Sequence, residues 1–241
     1  MGGRSGEGEW HGPIVPSTLS AGQMCGQRRG CCTLRRMQYT RNPPLDEQAL
    51  APDPLAQFET WLADARGAGM MEPTAFTLAT VGSDGRPSAR VVLFKGFHEA
   101  GLSFYTSYEG RKGRELDAHP YAAATFWWDR LERQVRFEGR VRRVSREQSR
   151  RYFESRPRTS QLGALTSRQS QVVATRAELD TRYEDNERRL QDQPVPLPEN
   201  WGGYVLRPDA VEFWQGRGGR LHDRLRYRAL DGNWVIERLE P

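Results

Sequence analysis

Four clusters of basic and hydroxyl-bearing residues punctuate this chain: Arg90 with Lys95, Arg111 with Lys112, Arg156-Pro157-Arg158 with Ser160, and Arg220 with His222 and Arg224. Arg presents a planar fork of donors to an oxyanion, a Ser hydroxyl adds another donor, and Lys adds a mobile point charge. Together they have the chemistry to hold two phosphate groups. Singly, each is more often a solvated surface charge. Lys95 and Lys112 are the only two lysines among 36 basic residues. A chain that otherwise uses Arg throughout keeps an ammonium at two positions, which points to contacts that want a compact charge on a flexible stem, with chance retention as the alternative.

The elements that must position these residues are mostly strands. Asp53-Pro54 supplies an N-cap and a first-turn proline; Leu55, Phe58, Leu62 and Ala65 then recur on one face, and Gly67 and Gly69 close an amphipathic helix. From Ala75 the period falls to two, with strands expected over 76–81 and 88–94 around the turn Ser83-Asp84-Gly85-Arg86. Strands over 102–106, 121–128 and 134–143 follow, with a short helix over 111–118 between the first two. Ser145 with Gln148 and Thr175 with Glu178 are spaced as capping boxes and open two further helices, which flank 155–170. Beyond the stiff Pro194-Val195-Pro196-Leu197-Pro198, strands are expected at 203–206, 211–215, 221–228 and 234–239, the last two turned by Asp231-Gly232. That makes about eight strands and about four helices. Because the strands follow one another without regular helical crossovers, the pattern predicts an α+β fold: a mainly antiparallel, mostly closed β structure with peripheral helices. Arg90 and Lys95 lie an odd number of residues apart, so an ideal strand sends them to opposite faces. A bulge, a strand end at Lys95, or two different ligands would reconcile them.

Composition narrows the ligand class. The 241 residues are 37% apolar and 10% aromatic with seven Trp, enough for one packed core despite a mean hydropathy of −0.79. Residues 1–34 are rich in Gly, Ser and Arg without apolar periodicity, so a disordered tail is expected there and a single domain over 35–241. No run approaches the roughly 20 apolar residues of a membrane helix, and the N-terminus lacks a secretory signal, so a cytoplasmic protein without a membrane partner is expected. Cys25, Cys31 and Cys32 have no His or further Cys at zinc-like spacing beside them; reduced thiols and no metal site are expected. A net charge of +5 suits nucleic acid and phosphorylated small molecules equally. The bases are interspersed with acids such as Asp117, Glu138 and Glu212 rather than gathered on one face with stacking aromatics, which argues against a nucleic-acid partner. Neither a G-x-G-x-x-G after a strand nor a Walker loop is present.

Nine blocks of residues resemble, in order and spacing, the signatures of the pyridoxine/pyridoxamine 5'-phosphate oxidase family. They are Arg90-Val91-Val92-Leu93-Phe94-Lys95; Tyr105-Thr106; Ser107-Tyr108-Glu109-Gly110-Arg111-Lys112-Gly113; Glu132-Arg133-Gln134-Val135-Arg136; Tyr152-Phe153-Glu154-Ser155-Arg156-Pro157; Ser160-Gln161-Leu162-Gly163-Ala164; Trp201-Gly202-Gly203-Tyr204; Glu212-Phe213-Trp214-Gln215-Gly216; and Arg220-Leu221-His222-Asp223-Arg224. The match runs from about Arg36 to Pro241. It implies an FMN-binding split β-barrel, Greek-key-like and antiparallel, in a homodimer with two flavins in clefts at the subunit interface. By position the resemblance assigns FMN contacts to Arg90, Val91, Val92, Leu93, Phe94, Lys95, Tyr105, Thr106, Arg111, Lys112, Gln134, Gln169, Ser170, Trp214 and Arg224. It assigns substrate contacts to Lys95, Tyr152, Arg156 and Ser160, which resemble the family's phosphate clamp, and to Arg220, Leu221 and His222. Arg36-Met37-Gln38-Tyr39 is only loosely similar to the family's N-terminal lid motif.

The activity implied is oxidation of pyridoxine 5'-phosphate and pyridoxamine 5'-phosphate to pyridoxal 5'-phosphate, with hydride passing from C4' to FMN and O2 reoxidising the flavin. Such chemistry needs no nucleophilic triad; the protein anchors the phosphate, stacks the ring and excludes side reactions. Arg220 and His222 are the expected catalytic pair, holding the substrate from the other side, and a His near neutrality can pass a proton. Their alternative is a strand-end ion pair with Asp223. Trp127, Trp128 and Trp234 are expected in core or dimer packing. Two other readings stay open: a related split-barrel flavoprotein acting on another substrate, such as a phenazine precursor, and a non-catalytic carrier of flavin or pyridoxal phosphate.

Overall fold

The computed structural model describes Tyr39 and residues 42–241. The expectations for residues 1–34, for Cys25, Cys31 and Cys32 and for Arg36 lie outside the described residues. Helix α1 (Pro54–Gly67) starts where the sequence predicts: the Asp53 carboxylate accepts from the backbone N–H groups of Leu55 and Ala56, satisfying donors that the first turn leaves unpaired. Its inward face is Phe58, Trp61, Leu62 and Ala65, all buried. Phe58 is the hub of an aromatic core, with ring centroids 4.8 Å from Phe126, 5.1 Å from Phe137 and 5.4 Å from Phe94.

Around this core runs an antiparallel sheet. In chain order it comprises β1 (Ala75–Val81), β2 (Pro87–Leu93), β3 (Phe97–His98), β4 (Gly101–Ser107), β5 (Tyr121–Trp128), β6 (Arg133–Arg143), β7 (Trp201–Gln215), β8 (Asp223–Leu230) and β9 (Asn233–Arg238). The spatial order is β2-β1-β5-β6-β7-β4-β3, with β8 and then β9 added along the second half of β7. Closure comes from the passage between β2 and β3. Phe94 N–H still donates to Thr74 beside β1, whereas Lys95 N–H donates to Ser103 in β4, and Ser103 N–H donates to Gly96. One continuous stretch of chain therefore leaves the β1 side and joins the β4 side, making a barrel corner. Gly96, at φ +99°, supplies a backbone conformation that a side chain would resist. The corner also resolves the odd spacing of Arg90 and Lys95: β2 ends before Lys95, which is aimed independently of the strand's alternation.

Helices lie outside the sheet: α2 (Arg111–Ala118) after β4, then α3 (Arg146–Ser155), α4 (Arg158–Thr166) and α5 (Arg176–Leu190) between β6 and β7. Ser145 and Thr175 cap α3 and α5, each hydroxyl accepting a backbone N–H three residues on at 3.1 Å. Phe153, Leu162, Leu190, Val195 and Trp201 pack into a second, smaller core that binds these helices to the start of β7.

Four features differ from the sequence expectation. The two strands predicted on either side of Pro208 are a single strand, β7. Pro208 sits at a bulge: Glu138 pairs with Ala210 and Gly139 with Pro208, leaving Asp209 as the extra residue, and bulges are where a strand tolerates proline. Helix α4 fills part of 155–170, its nine residues too short to display a clear period. The two-residue β3 is below the length at which alternation can be read. Lastly, β8 begins at Asp223 rather than at 221, so Leu221 and His222 belong to the loop before it.

Candidate functional site

A cleft of about 630 Å³ opens where the barrel corner, β4, α3, α4 and the loop after α4 meet. Val91, Val92, Leu93 and Lys95 line it from the end of β2, Tyr105 and Thr106 from β4, and Lys112 from the first turn of α2. Tyr152 comes from α3, Ser160 from α4, Arg156 from the turn between them, and Gln169 from the loop after α4. Residues as far apart in sequence as Val91 and Gln169 are thus gathered by strand pairing and helix docking.

One wall is aromatic. The rings of Tyr105 and Tyr152 stack at 3.7 Å and 18°, and Trp201 continues the stack 6.2 Å from Tyr152 and nearly parallel to it. The Arg156 guanidinium lies 4.8 Å above the Trp201 ring. Its Nη1 is buried without a hydrogen-bond partner. A buried donor left unsatisfied is costly, and more so on a charged guanidinium, so this atom has the chemistry to take an anion. Burial also pushes the Arg156 pKa down.

A second cation stands at the other side. Lys112 Nζ donates to Thr106 Oγ1 at 3.0 Å and to Gln169 Oε1 at 2.8 Å, both neutral acceptors. Burial and, secondly, the neighbouring Arg90 lower its pKa to about 8, with Glu115 only partly opposing them. An ammonium held this way is short of negative charge and has the chemistry to bind a phosphate. Ser170 accepts the Arg111 backbone N–H at 3.0 Å, so Gln169 and Ser170 tie the loop after α4 to the start of α2.

Not every predicted residue lines this cleft. Arg90 and Arg111 converge instead on the buried Glu115 carboxylate, beside Lys112. Phe94 turns its ring into the core. Gln134, Trp214 and Arg224 stand elsewhere, as neighbours in one row across β6, β7 and β8. Around Trp214 gather His222 at 4.7 Å, Tyr39 at 5.6 Å and Trp127 at 5.8 Å between ring centroids. Tyr39 also meets His222 edge-on at 5.5 Å, and a Cβ at Gly216 would lie 2.6 Å from the Tyr39 ring, so only glycine leaves room for it. Trp128 and Trp234 pack in or against the core, one of the two places expected of them; Trp127 is half-exposed, outside the core, and joins this aromatic cluster.

His222 Nδ1 accepts the Arg217 backbone N–H at 3.1 Å, so the neutral ring carries its proton on Nε2. Burial, and then the adjacent Arg220, lower its pKa. Asp223 is engaged by Arg238 at 2.9 Å, by Arg217 at 3.5 Å and by the Leu45 N–H at 3.0 Å, which gives it partners other than the Arg220 or His222 of the alternative reading. Arg220 takes a left-handed φ of +64° and Leu221 is exposed. Arg224 forks onto the buried Glu212 at 2.8 and 3.0 Å.

Cleft and aromatic cluster are joined by β7, with Trp201 at one end and Trp214 near the other. At ~3.3 Å per residue the strand path between them is about 40 Å. The sequence did not single out Glu115 or Arg217, and it marked Trp127 for packing rather than for a site. Glu115 alone had a readable signal, its position four residues after Arg111, where a helix brings the two together.

A closed antiparallel barrel with outer helices and a phosphate-ready cleft defines the class: an FMN-binding split barrel. Residues 63–186 match the family model described as pyridoxamine 5'-phosphate oxidase, and residues 201–241 match the pyridoxine 5'-phosphate oxidase C-terminal dimerisation region. The chain belongs to the pyridoxine/pyridoxamine 5'-phosphate oxidase family. It is 54% identical over 209 residues to the enzyme so named from Burkholderia multivorans, covering 86% of this chain and 97% of that one. With the corresponding protein of Rubrobacter xylanophilus it shares 53% over 216 residues, covering 90% and 99%. Among solved structures, PhzG from Burkholderia lata, in complex with tetrahydrophenazine-1-carboxylic acid, superposes with a TM-score of 0.77 at 30% identity over 80% of this chain and 95% of that one. A pyridoxamine 5'-phosphate oxidase-related, FMN-binding protein of Nostoc punctiforme has the same fold, at a TM-score of 0.62 and 22% identity over 80% and 99%. No helix among the described residues is long and apolar enough to cross a membrane.

Proposed function

We propose that this chain oxidises pyridoxine 5'-phosphate or pyridoxamine 5'-phosphate to pyridoxal 5'-phosphate, using FMN held in the cleft of a homodimer. The observation that carries this reading is the pair of under-neutralised cations in one cleft, Lys112 on one side and Arg156 on the other. Two phosphate-bearing ligands meeting there, cofactor and substrate, would satisfy both. Bound FMN supplies the chemistry, accepting hydride from C4' of the substrate and passing the electrons to O2.

The residues of the chain do the rest. Lys112, Thr106, Gln169 and Ser170 hold the cofactor's phosphate end, with Arg90 and Arg111 adding positive charge beside them. Arg156, with Tyr152 and Ser160, clamps the substrate phosphate, and Lys95 reaches both ligands. Fixing the phosphate far from the reacting carbon lets binding energy orient the ring. Arg220 and His222 approach from the partner protomer, together with Trp214, Gln134 and Arg224. Locked by Arg217 with its proton on Nε2, His222 offers the substrate a hydrogen-bond donor rather than a ready base.

An oxygen-consumption assay with both vitamers on the wild type, Lys95→Ala and Arg220→Ala tests the reading. A yellow protein that turns over at least one vitamer is expected, with both variants slowed by at least about tenfold. No bound flavin, or no turnover, sinks the function; undiminished rates in both variants sink the residue assignment. Likeness to PhzG favours one competing reading, a substrate with a carboxylate and no phosphate. It predicts bound FMN but no oxygen uptake with either vitamer.

A pH dependence follows from Lys112. Its lowered pKa, about 8 against an ordinary 10.5, means the charge that attracts phosphate is present below pH 8 and lost above it. Phosphate binding raises that pKa again, so FMN affinity of flavin-stripped protein is expected to be level between about pH 7, where the phosphate is doubly ionised, and about pH 8, and to fall by up to tenfold per pH unit beyond. Flavin fluorescence titrations across this range check it. A flat profile, or the same decline in Lys112→Ala, would remove Lys112 from the phosphate site.

A further inference from the structure

Glu115 is the most heavily engaged carboxylate beside the cleft, and neither the family blocks nor the cleft lining include it. It projects from α2 and is almost wholly buried, its side chain 7% exposed. Oε2 accepts from Thr80 Oγ1 at 2.5 Å, Ser88 Oγ at 2.7 Å and Arg90 Nη2 at 3.0 Å, while Oε1 accepts from Arg111 Nε at 2.8 Å. Arg90 is held further by the Leu78 carbonyl and by the Thr80 and Ser88 hydroxyls. Arg111 is bound through Nε in this network, and its side chain is 60% exposed.

We propose that Glu115 is a positioning residue for the cofactor phosphate: it gathers Arg90 and Arg111 beside Lys112 and so makes the protein select FMN over riboflavin, the flavin without the phosphate. The inference rests on the cleft reading above, in which Lys112 marks the phosphate end. Three like charges on neighbouring elements repel one another, and unanchored guanidiniums would splay toward water. One buried carboxylate leaves a net charge of +2 among the four groups and sets the guanidinium planes before the ligand arrives. Donors fixed in advance spare the ordering cost of binding. The four hydrogen-bonded donors and the cations hold Glu115 ionised, its pKa at about 2 despite burial, so the arrangement persists across the physiological range.

Glutamine has nearly the same shape but one acceptor oxygen, and its amide group would face donors where Glu115 faces them with an oxygen. Flavin-stripped wild type and Glu115→Gln are titrated with FMN and with riboflavin, following flavin fluorescence, and their melting temperatures are compared. The expected result is an FMN affinity at least about tenfold weaker with riboflavin affinity within about twofold of wild type. In an Arg111→Ala background the effect of Glu115→Gln is expected to shrink, because Glu115 acts through that guanidinium. Equal losses for both flavins, or an unchanged FMN affinity, would overturn the proposal. Should Glu115→Gln fail to fold, Ser88→Ala and Thr80→Val each remove one donor while leaving the charge. A smaller loss specific to FMN is then expected, and an unmoved preference overturns the idea. Lys112→Ala separates the two levels: if that variant keeps the wild-type preference for FMN, the cleft reading itself fails, whatever Glu115 does.

Discussion

Replacing Arg156 with Ala is expected to raise the KM for the phosphorylated vitamer by roughly 100-fold, with a much smaller change in kcat. Charge-assisted hydrogen bonds contribute about 1.5–3 kcal/mol each, and a guanidinium fork on phosphate forms two. Losing about 3 kcal/mol of that interaction corresponds to roughly two decades. The split between KM and kcat follows from position. A phosphate gripped on the Trp201 side of the cleft is gripped equally before and during hydride removal, so the lost energy is uniform binding. Since Arg156 Nη1 is buried and unpartnered, its removal also relieves the ligand-free protein of an uncompensated charge. The flavin-stripped variant is therefore expected to melt no lower than wild type. Arg156→Lys keeps the charge without the fork and should fall between the two. Steady-state kinetics decide the matter: a fall in kcat at unchanged KM would place Arg156 at the reacting end of the substrate instead.

Local chemistry made the elements legible. Asp53-Pro54 announced α1, Ser145 and Thr175 announced two caps, and Asp231-Gly232 announced the β8–β9 hairpin, in which both residues have positive φ as the tight turn demands. What stayed hidden depended on tertiary pairing. Pro208 reads as a break, and only the register of β6 against β7 shows that a bulge absorbs it. Lys95 was singled out by residue type, yet its placement comes from a corner that no window of sequence reveals, because the backbone there hands over from Thr74 to Ser103. The candidate site divides the same way. Cationic residues with a phosphate-binding habit were readable one by one, but the burial of the carboxylates that engage them was not: beyond the four-residue spacing of Glu115 from Arg111, Glu115 and Glu212 read as any surface acid. Tyr39 shows the converse: a loosely matched motif whose ring the fold nonetheless seats against His222 and Trp214.

A heterodimer of Arg156→Ala and His222→Ala protomers, isolated through two different affinity tags, is expected to recover about half of wild-type activity per dimer, while each homodimeric variant stays nearly inactive below its KM. Arg156 lies over Trp201 at the first residue of β7, and His222 packs on Trp214 close to the strand's last, so about 40 Å of extended strand separates them along one protomer. A small phosphorylated substrate is far shorter than that path, so two residues serving one reaction are expected to come from different protomers. Residues 201–241 match a dimerisation region and contain Trp214, Arg220, His222 and Arg224 of this second cluster, so these four lie in the part of the chain associated with dimerisation. In a two-fold dimer each site then takes Arg156 from one protomer and His222 from the other. The mixed dimer holds one site with both residues intact and one lacking both, whereas each parent holds two damaged sites. Initial rates at substrate concentrations well below the variants' KM make the contrast sharpest. Recovery absent from a correctly assembled heterodimer would mean that the two clusters do not share a site, and Arg220 and His222 would lose their place in the reaction together.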